Sequence, residues 1–190
     1  MAGCVAGCAW LVSASGPLAA EPPPAAADSR TVTTAAAAAS SALSALHKSE
    51  AEWRALLAAI PELAALAGAF APFGPAATDD ALTRGGRSRA SASAWSFGDG
   101  PVEWRPSASQ RFWIVVGASG PRALIAVLSA DALAPRHLAS TVIAEAGVPI
   151  ALGVNPAQPR EVLWTTCYGC PGQGGAIQLG GSGRPSFVYR

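Results

Sequence analysis

Apolar and polar positions alternate with two different periods along this chain. From Thr33 to Ala59 the spacing predicts a helix, with Leu43, Leu46, Trp53, Leu56, Leu57 and Ile60 recurring at three- and four-residue steps in an alanine-rich background. Ser49 and Glu52 form the Ser-x-x-Glu capping-box pattern and mark a break within it. Pro61 ends this helix or opens a second one, running to about Phe70 with Leu63, Leu66 and Phe70 as its core-facing stripe. Residues 71–94 mix Pro, Gly, Asp, Ser and Arg without period and predict a long loop.

After Ala94 the period changes to that of strands. Trp95–Phe97 and Val102–Arg105 flank Gly98-Asp99-Gly100-Pro101, which predicts a hairpin turn between them. Arg111–Val116 predicts a buried central strand, whereas Ala123–Leu128 fits strand or helix equally. Pro135–Ala146 predicts a helix closed by Gly147 and Pro149. Strands follow at Ile150–Val154, Glu161–Thr166, Ala176–Leu179 and Ser186–Tyr189. The expected fold class is α+β: one or two N-terminal Ala-rich helices, then an antiparallel or mixed sheet of about seven strands with one or two crossing helices. The domain plan is a leader-like apolar segment (1–20), a Pro/Ala linker (21–32), a helical segment (33–70), a loop (71–94) and an α+β domain (95–190).

Composition sharpens the N-terminal reading. Hydrophobic residues make up 51% of the 190, yet much of that is alanine and adds little core area. Cys4 through Val12 is a small-apolar run too short to span a bilayer but suited to the core of a signal peptide. Small residues follow at Ser13-Ala14-Ser15 and Leu18-Ala19-Ala20, and Glu21-Pro22-Pro23-Pro24 opens an extended linker. Val5-Ala6-Gly7-Cys8 resembles the lipobox of bacterial lipoproteins, which implies a membrane tether at Cys8. The protein is therefore expected to be exported, periplasmic or anchored facing the periplasm. A formal net charge of +1 gives no electrostatic footprint for nucleic acid. Arg84, Arg87 and Arg89 form a basic cluster, read as a phosphate patch or as a solvated loop.

Candidate chemistry is sparse, and no cofactor is implied. Cys167-Tyr168-Gly169-Cys170-Pro171 holds a Cys-x-x-Cys pair, the signature of a redox dithiol, half a zinc site or a structural disulfide. The redox reading needs a helix N-terminus at the first cysteine. Zinc needs two more ligands, for which His47, His137 or another chain are candidates. In an exported protein the disulfide Cys167–Cys170 is the leading expectation. Trp95, Trp104, Trp113 and Trp164 crowd the strand region, as a sheet core or as an aromatic pocket. The pocket reading makes Trp95, Trp104 and Trp113 ligand-binding, with Arg105 or Arg111 fixing an anion. Trp104 and Arg105 share one pocket only if a bulge intervenes, since neighbours on a strand face opposite ways.

Two stretches resemble known families. Ile114 to Leu128 (IVVGASGPRALIAVL) resembles the opening of the chemotaxis methylesterase domain. That likeness implies a serine hydrolase with Ser119 as nucleophile and His137 as base. Over residues 33–190, the order of a long helix, RALIAVLSADAL, a short helix, PIALGVN and EVLW resembles the extracytoplasmic PAS-like sensor domains called Cache. It implies a non-enzymatic module that binds a small molecule or another protein of the envelope. A structural subunit of an envelope assembly is the competing expectation, and the hydrolase a further one.

Overall fold

The computed structural model describes residues 42–130, 134–145 and 147–190. The leader-like segment, the linker, Cys4, Cys8 and the start of the expected first helix (33–41) lie outside the described residues. The chain is mostly β, built as two antiparallel sheets packed face to face. The first sheet contains β1 (Leu43–Ala45), β2 (Phe70–Pro72), β4 (Val102–Ser107), β5 (Gln110–Ser119), β6 (Arg122–Ser129) and β7 (His137–Ile143). Its order is β1-β4-β5-β6-β7, with β2 extending the β4 side of β5. The second contains β3 (Ser96–Gly98), β8 (Ala151–Val154), β9 (Glu161–Thr165), β10 (Gly174–Leu179) and β11 (Pro185–Tyr189), in the order β11-β10-β9-β8-β3. At one side of the sandwich β7 and β11 come together, where the Thr141 and Tyr189 hydroxyls are 2.5 Å apart.

This arrangement corrects the α+β expectation. The N-terminal alanine-rich helix shrinks, among the described residues, to α1 (Glu50–Ala58). Leu43–Ala45, expected as helix, is instead an edge strand whose Leu43 pairs with Trp104. The Ser49/Glu52 capping box is the start of α1, because each residue bonds the other's orphan backbone N–H. The second helix is only α2 (Ala64–Ala67), and the chain enters β2 where that helix was expected to end.

Two further elements differ from expectation. The stretch expected as a loop over 71–94 carries α3 (Pro75–Arg84), with Pro75 in its first turn. Its sequence hides the helix because it buries only Thr78, Ala81 and Leu82, which do not make an apolar stripe. The helix expected over Pro135–Ala146 is β7, half-buried at alternate positions along a sheet edge. Here β-branched Thr141, Val142 and Ile143 and pairing to β6 outweigh the helix preference of Leu138 and Ala139.

Strand β6 shows why periodicity alone could not assign it. Ala123, Ile125 and Val127 enter the core between the sheets, with Ile114, Leu152, Val162, Ile177 and Trp104. Leu124, Ala126 and Leu128 enter a second core beneath α1 and α2, with Trp53, Leu57, Leu63 and Phe70. A strand buried on both faces loses its alternation and reads as one apolar run. The β5–β6 hairpin turns at Gly120-Pro121, where Gly120 has φ +59°, as the first central residue of a type II′ turn requires.

Candidate functional site

The connection between β9 and β10 carries both cysteines, and local hydrogen bonds shape it. Thr165 and Thr166 donate their hydroxyls to the Gln173 carbonyl at 3.0 and 3.2 Å, closing the base of the hairpin. The Cys170 N–H donates to the Cys167 carbonyl at 3.1 Å, turning the tip, and Gly169 at φ +88° supplies the left-handed residue there. Cys167 and Cys170 stand at disulfide distance, their Cα atoms 5.4 Å apart. No described helix begins at either cysteine, so the helix dipole that would stabilise a thiolate is missing from this tip. Among the described residues no three His, Cys, Asp or Glu side chains converge as a metal site.

The tip is docked on α3. The Tyr168 N–H donates to the Ala81 carbonyl at 2.9 Å, and the Tyr168 ring meets Phe97 edge-on at 5.8 Å. The Tyr168 carbonyl lies so close to Gly85 that a Cβ there would fall 1.7 Å from it. Trp95 and Phe97 pack over Gly153 of β8, whose missing side chain lets both rings lie near the sheet.

Between the tip, the 87–95 segment and the outer face of β9 runs a groove of about 620 Å³. Trp95 and Leu163 give it apolar surface, the two cysteines and Gly169, Gly172 and Gly174 form a rim, and Arg87 and Arg190 supply charge. Its volume falls within the 300–1,000 Å³ span of small-molecule sites.

The arginine cluster is divided between structure and groove. Arg89 bonds Asp79 of α3 at 2.7 Å and Asp99 of the β3–β4 turn at 2.5 Å. Partial burial pulls the Arg89 pKa down, but the hydrogen bonds and charges of the two carboxylates outweigh it and hold it above the ordinary value. Arg84 pairs with Asp80 at 3.4 Å one helical turn earlier. Arg87 makes no ion pair among the described residues and borders the groove. Arg190, on the other side, is oriented by Glu161 at 3.0 Å.

Of the residues nominated as ligand-binding, only Trp95 reaches this groove. Trp104 is fully buried between the sheets, its indole N–H donating to the Pro159 carbonyl at 2.9 Å. A bulge does follow Trp104, yet Arg105 turns to solvent and pairs with Glu103. Arg111 is exposed and donates to the Ala130 carbonyl at 3.3 Å. Trp113 packs under α1, edge-on to Trp53 at 6.4 Å and beneath the Lys48 ammonium at 5.5 Å.

Ser119 and His137 are not brought together. Ser119 faces Arg122 at the start of β6 and His137 faces Leu128 near its end, a separation of about 20 Å at some 3.3 Å per residue. The Ser119 hydroxyl is committed to the Leu66 carbonyl at 2.7 Å, and the His137 ring to the Ser140 hydroxyl at 2.9 Å.

Sequence reasoning missed Leu163 and Arg190 as groove residues. Arg87, not among the residues expected to bind ligand, carried a weaker signal as a member of a basic cluster. Comparison with protein-family models, with curated proteins and with solved structures finds no match. Among the described residues no helix is long and apolar enough to cross a membrane.

Proposed function

We propose that this protein is a non-enzymatic, sensor-like β-sandwich module that binds a small molecule in the groove beside the cysteine hairpin. The observation that carries this reading is Trp95, an indole facing a site-sized groove alongside Leu163 and two arginines. Export belongs to the same reading, supported by the cysteine pair at disulfide distance, an arrangement that persists in oxidising compartments.

The test is a screen of amino acids, organic acids and nucleotides by thermal shift and intrinsic fluorescence. At least one compound should raise the melting temperature of the wild type and lose most of that effect in Trp95→Ala. A panel without hits, or a hit that Trp95→Ala binds equally well, would overturn the reading.

A second reading, an envelope protein docked on the sandwich edge, draws on one specific feature. The exposed large hydrophobics among the described residues, Leu138, Val142, Val188 and Tyr189, all lie on the edge strands β7 and β11. A native pull-down should then capture a stoichiometric partner whose binding is lost in Leu138→Asp/Val142→Asp. A monomer without partner would dismiss it.

A further inference from the structure

We infer that the groove is selective for a monocarboxylate with a compact apolar body, whose charge is held by Arg87. This rests on the small-molecule reading of the same groove and adds the chemical class of the ligand.

The first ground is charge. The groove is bordered by Arg87 and Arg190, and neither Asp nor Glu lines it. Glu161 offsets the charge of Arg190, and Arg87 has no such carboxylate among the described residues, so the Arg87 side of the groove is a local positive site. An ammonium ligand would meet the like charge of Arg87, and a neutral one would leave that guanidinium without a counter-charge.

The second ground is that Arg87 is held in place without being used up. Its backbone N–H donates to the Leu82 carbonyl at 3.0 Å, anchoring it just beyond α3. Two residues on, Arg89 is clamped by Asp79 and Asp99, and the Ser88 N–H donates to the Ser91 hydroxyl at 2.8 Å. The backbone around Arg87 is thus fixed on both sides while its guanidinium keeps its donors for a ligand. A guanidinium fork matches a carboxylate with two parallel hydrogen bonds. Glu161 takes one terminal nitrogen of Arg190 and also accepts from Gln178 at 2.7 Å, so Arg190 is oriented with other donors to spare.

The third ground is the opposite wall. Trp95 and Leu163 offer apolar surface suited to an aromatic or branched aliphatic body.

The inference is tested with three probes sharing one apolar body: 3-phenylpropanoate, its amide and 3-phenylpropylamine, titrated calorimetrically into the full chain. The acid should bind at least about tenfold more tightly than the amide, as a two-pronged guanidinium–carboxylate pair provides. The amine should not bind. Arg87→Ala should bring the acid down to the amide, Arg87→Lys should restore part of the difference, and Trp95→Ala should weaken acid and amide alike. Acid and amide binding equally to the wild type would overturn the carboxylate inference and leave small-molecule binding standing. Phenyl phosphate binding more tightly than the acid would overturn the ligand class in favour of a phosphate ester. None of the probes binding, phenyl phosphate included, would count against both the inference and the groove reading.

Discussion

The backbone N–H of Tyr168 donates to the carbonyl of Ala81 across 2.9 Å, and this bond joins the cysteine hairpin to α3. The two segments are far apart in sequence, and the groove exists because they meet. Gly85 permits the approach: its own backbone is unstrained, at φ −86°, but any Cβ would overlap the Tyr168 carbonyl. Gly85→Ala should therefore cost about 1–3 kcal/mol, as overpacking of a tight contact does. The control is Gly68→Ala, at a glycine in helical conformation with open space around its Cβ position, which should be neutral or slightly stabilising. Urea denaturation of the two variants checks the contrast, and equal stabilities would mean that the tip is not docked in solution.

Ser119 should act as a structural hydroxyl. It is buried at the end of β5 and donates to the Leu66 carbonyl at 2.7 Å, tying the sheet to the end of the α1–α2 layer. Ser119→Ala leaves that carbonyl without its donor and should cost about 1 kcal/mol, read as a lower denaturant midpoint at unchanged slope. Fluorophosphonate treatment of the wild type should leave its mass unchanged, since the hydroxyl is bonded to a backbone carbonyl and His137 is bonded elsewhere, to Ser140. An adduct abolished by Ser119→Ala would reinstate the hydrolase reading.

The parts of this fold legible in the sequence are those whose cause is local. The capping box at Ser49 and Glu52 needs only neighbouring residues, and it caps a helix as expected. The Gly98–Pro101 segment, expected as a hairpin turn, instead carries the chain from one sheet to the other, because β3 pairs with β8 while β4 pairs with β1 and β5. The misassigned parts depend on distant contacts. His137–Ile143 is a strand because β6 lies beside it, and Leu43–Ala45 because β4 does. The candidate site was legible at Trp95, at the Cys-x-x-Cys pair and, as one member of a basic cluster, at Arg87. A tryptophan stripe cannot reveal which ring faces a groove, because Trp104 and Trp113 are equally apolar and each fills a different core. That Arg89 and Arg84 are paired with carboxylates while Arg87 is not was likewise invisible before the positions of Asp79, Asp80 and Asp99 were known.

The start of α1 should carry a measurable acid dependence. The Ser49 hydroxyl and backbone N–H both donate to the Glu52 carboxylate at 2.7 Å. The side-chain bond, then the backbone bond, with a smaller contribution from the Lys48 charge, holds the Glu52 pKa below the ordinary value. A carboxyl with a lowered folded-state pKa contributes fully above its unfolded value, and the contribution is lost as pH falls through the folded one. The stability gap between wild type and Glu52→Gln should therefore stay constant from neutrality to about pH 5 and close below about pH 4. Ser49→Ala should cost about 1 kcal/mol at neutral pH, as loss of an N-cap does. A gap between wild type and Glu52→Gln that widened on acidification would contradict the sign.

The cysteine pair separates two roles that a single stability measurement would merge. If Cys167 and Cys170 are joined, intact mass without reductant should show no alkylation at either, and reduction by a dithiol should expose both. The bond closes a ring of only a few residues, so chain entropy limits its stabilisation to about 2 kcal/mol, or a fall in Tm of no more than about 8 °C. The effect on the groove has no such limit, because both cysteines stand on its rim and the tip between them is what Tyr168 docks on α3. Cys167→Ser/Cys170→Ser should accordingly lose more in affinity for a groove ligand than its modest loss of stability implies, and added dithiol should do to the wild type what the substitution does. Unchanged affinity in both would make the pair a staple for the hairpin alone, with the groove shaped by the Tyr168 contacts instead. Alkylation of both cysteines before any reductant is added would remove the support that this pair lends to export.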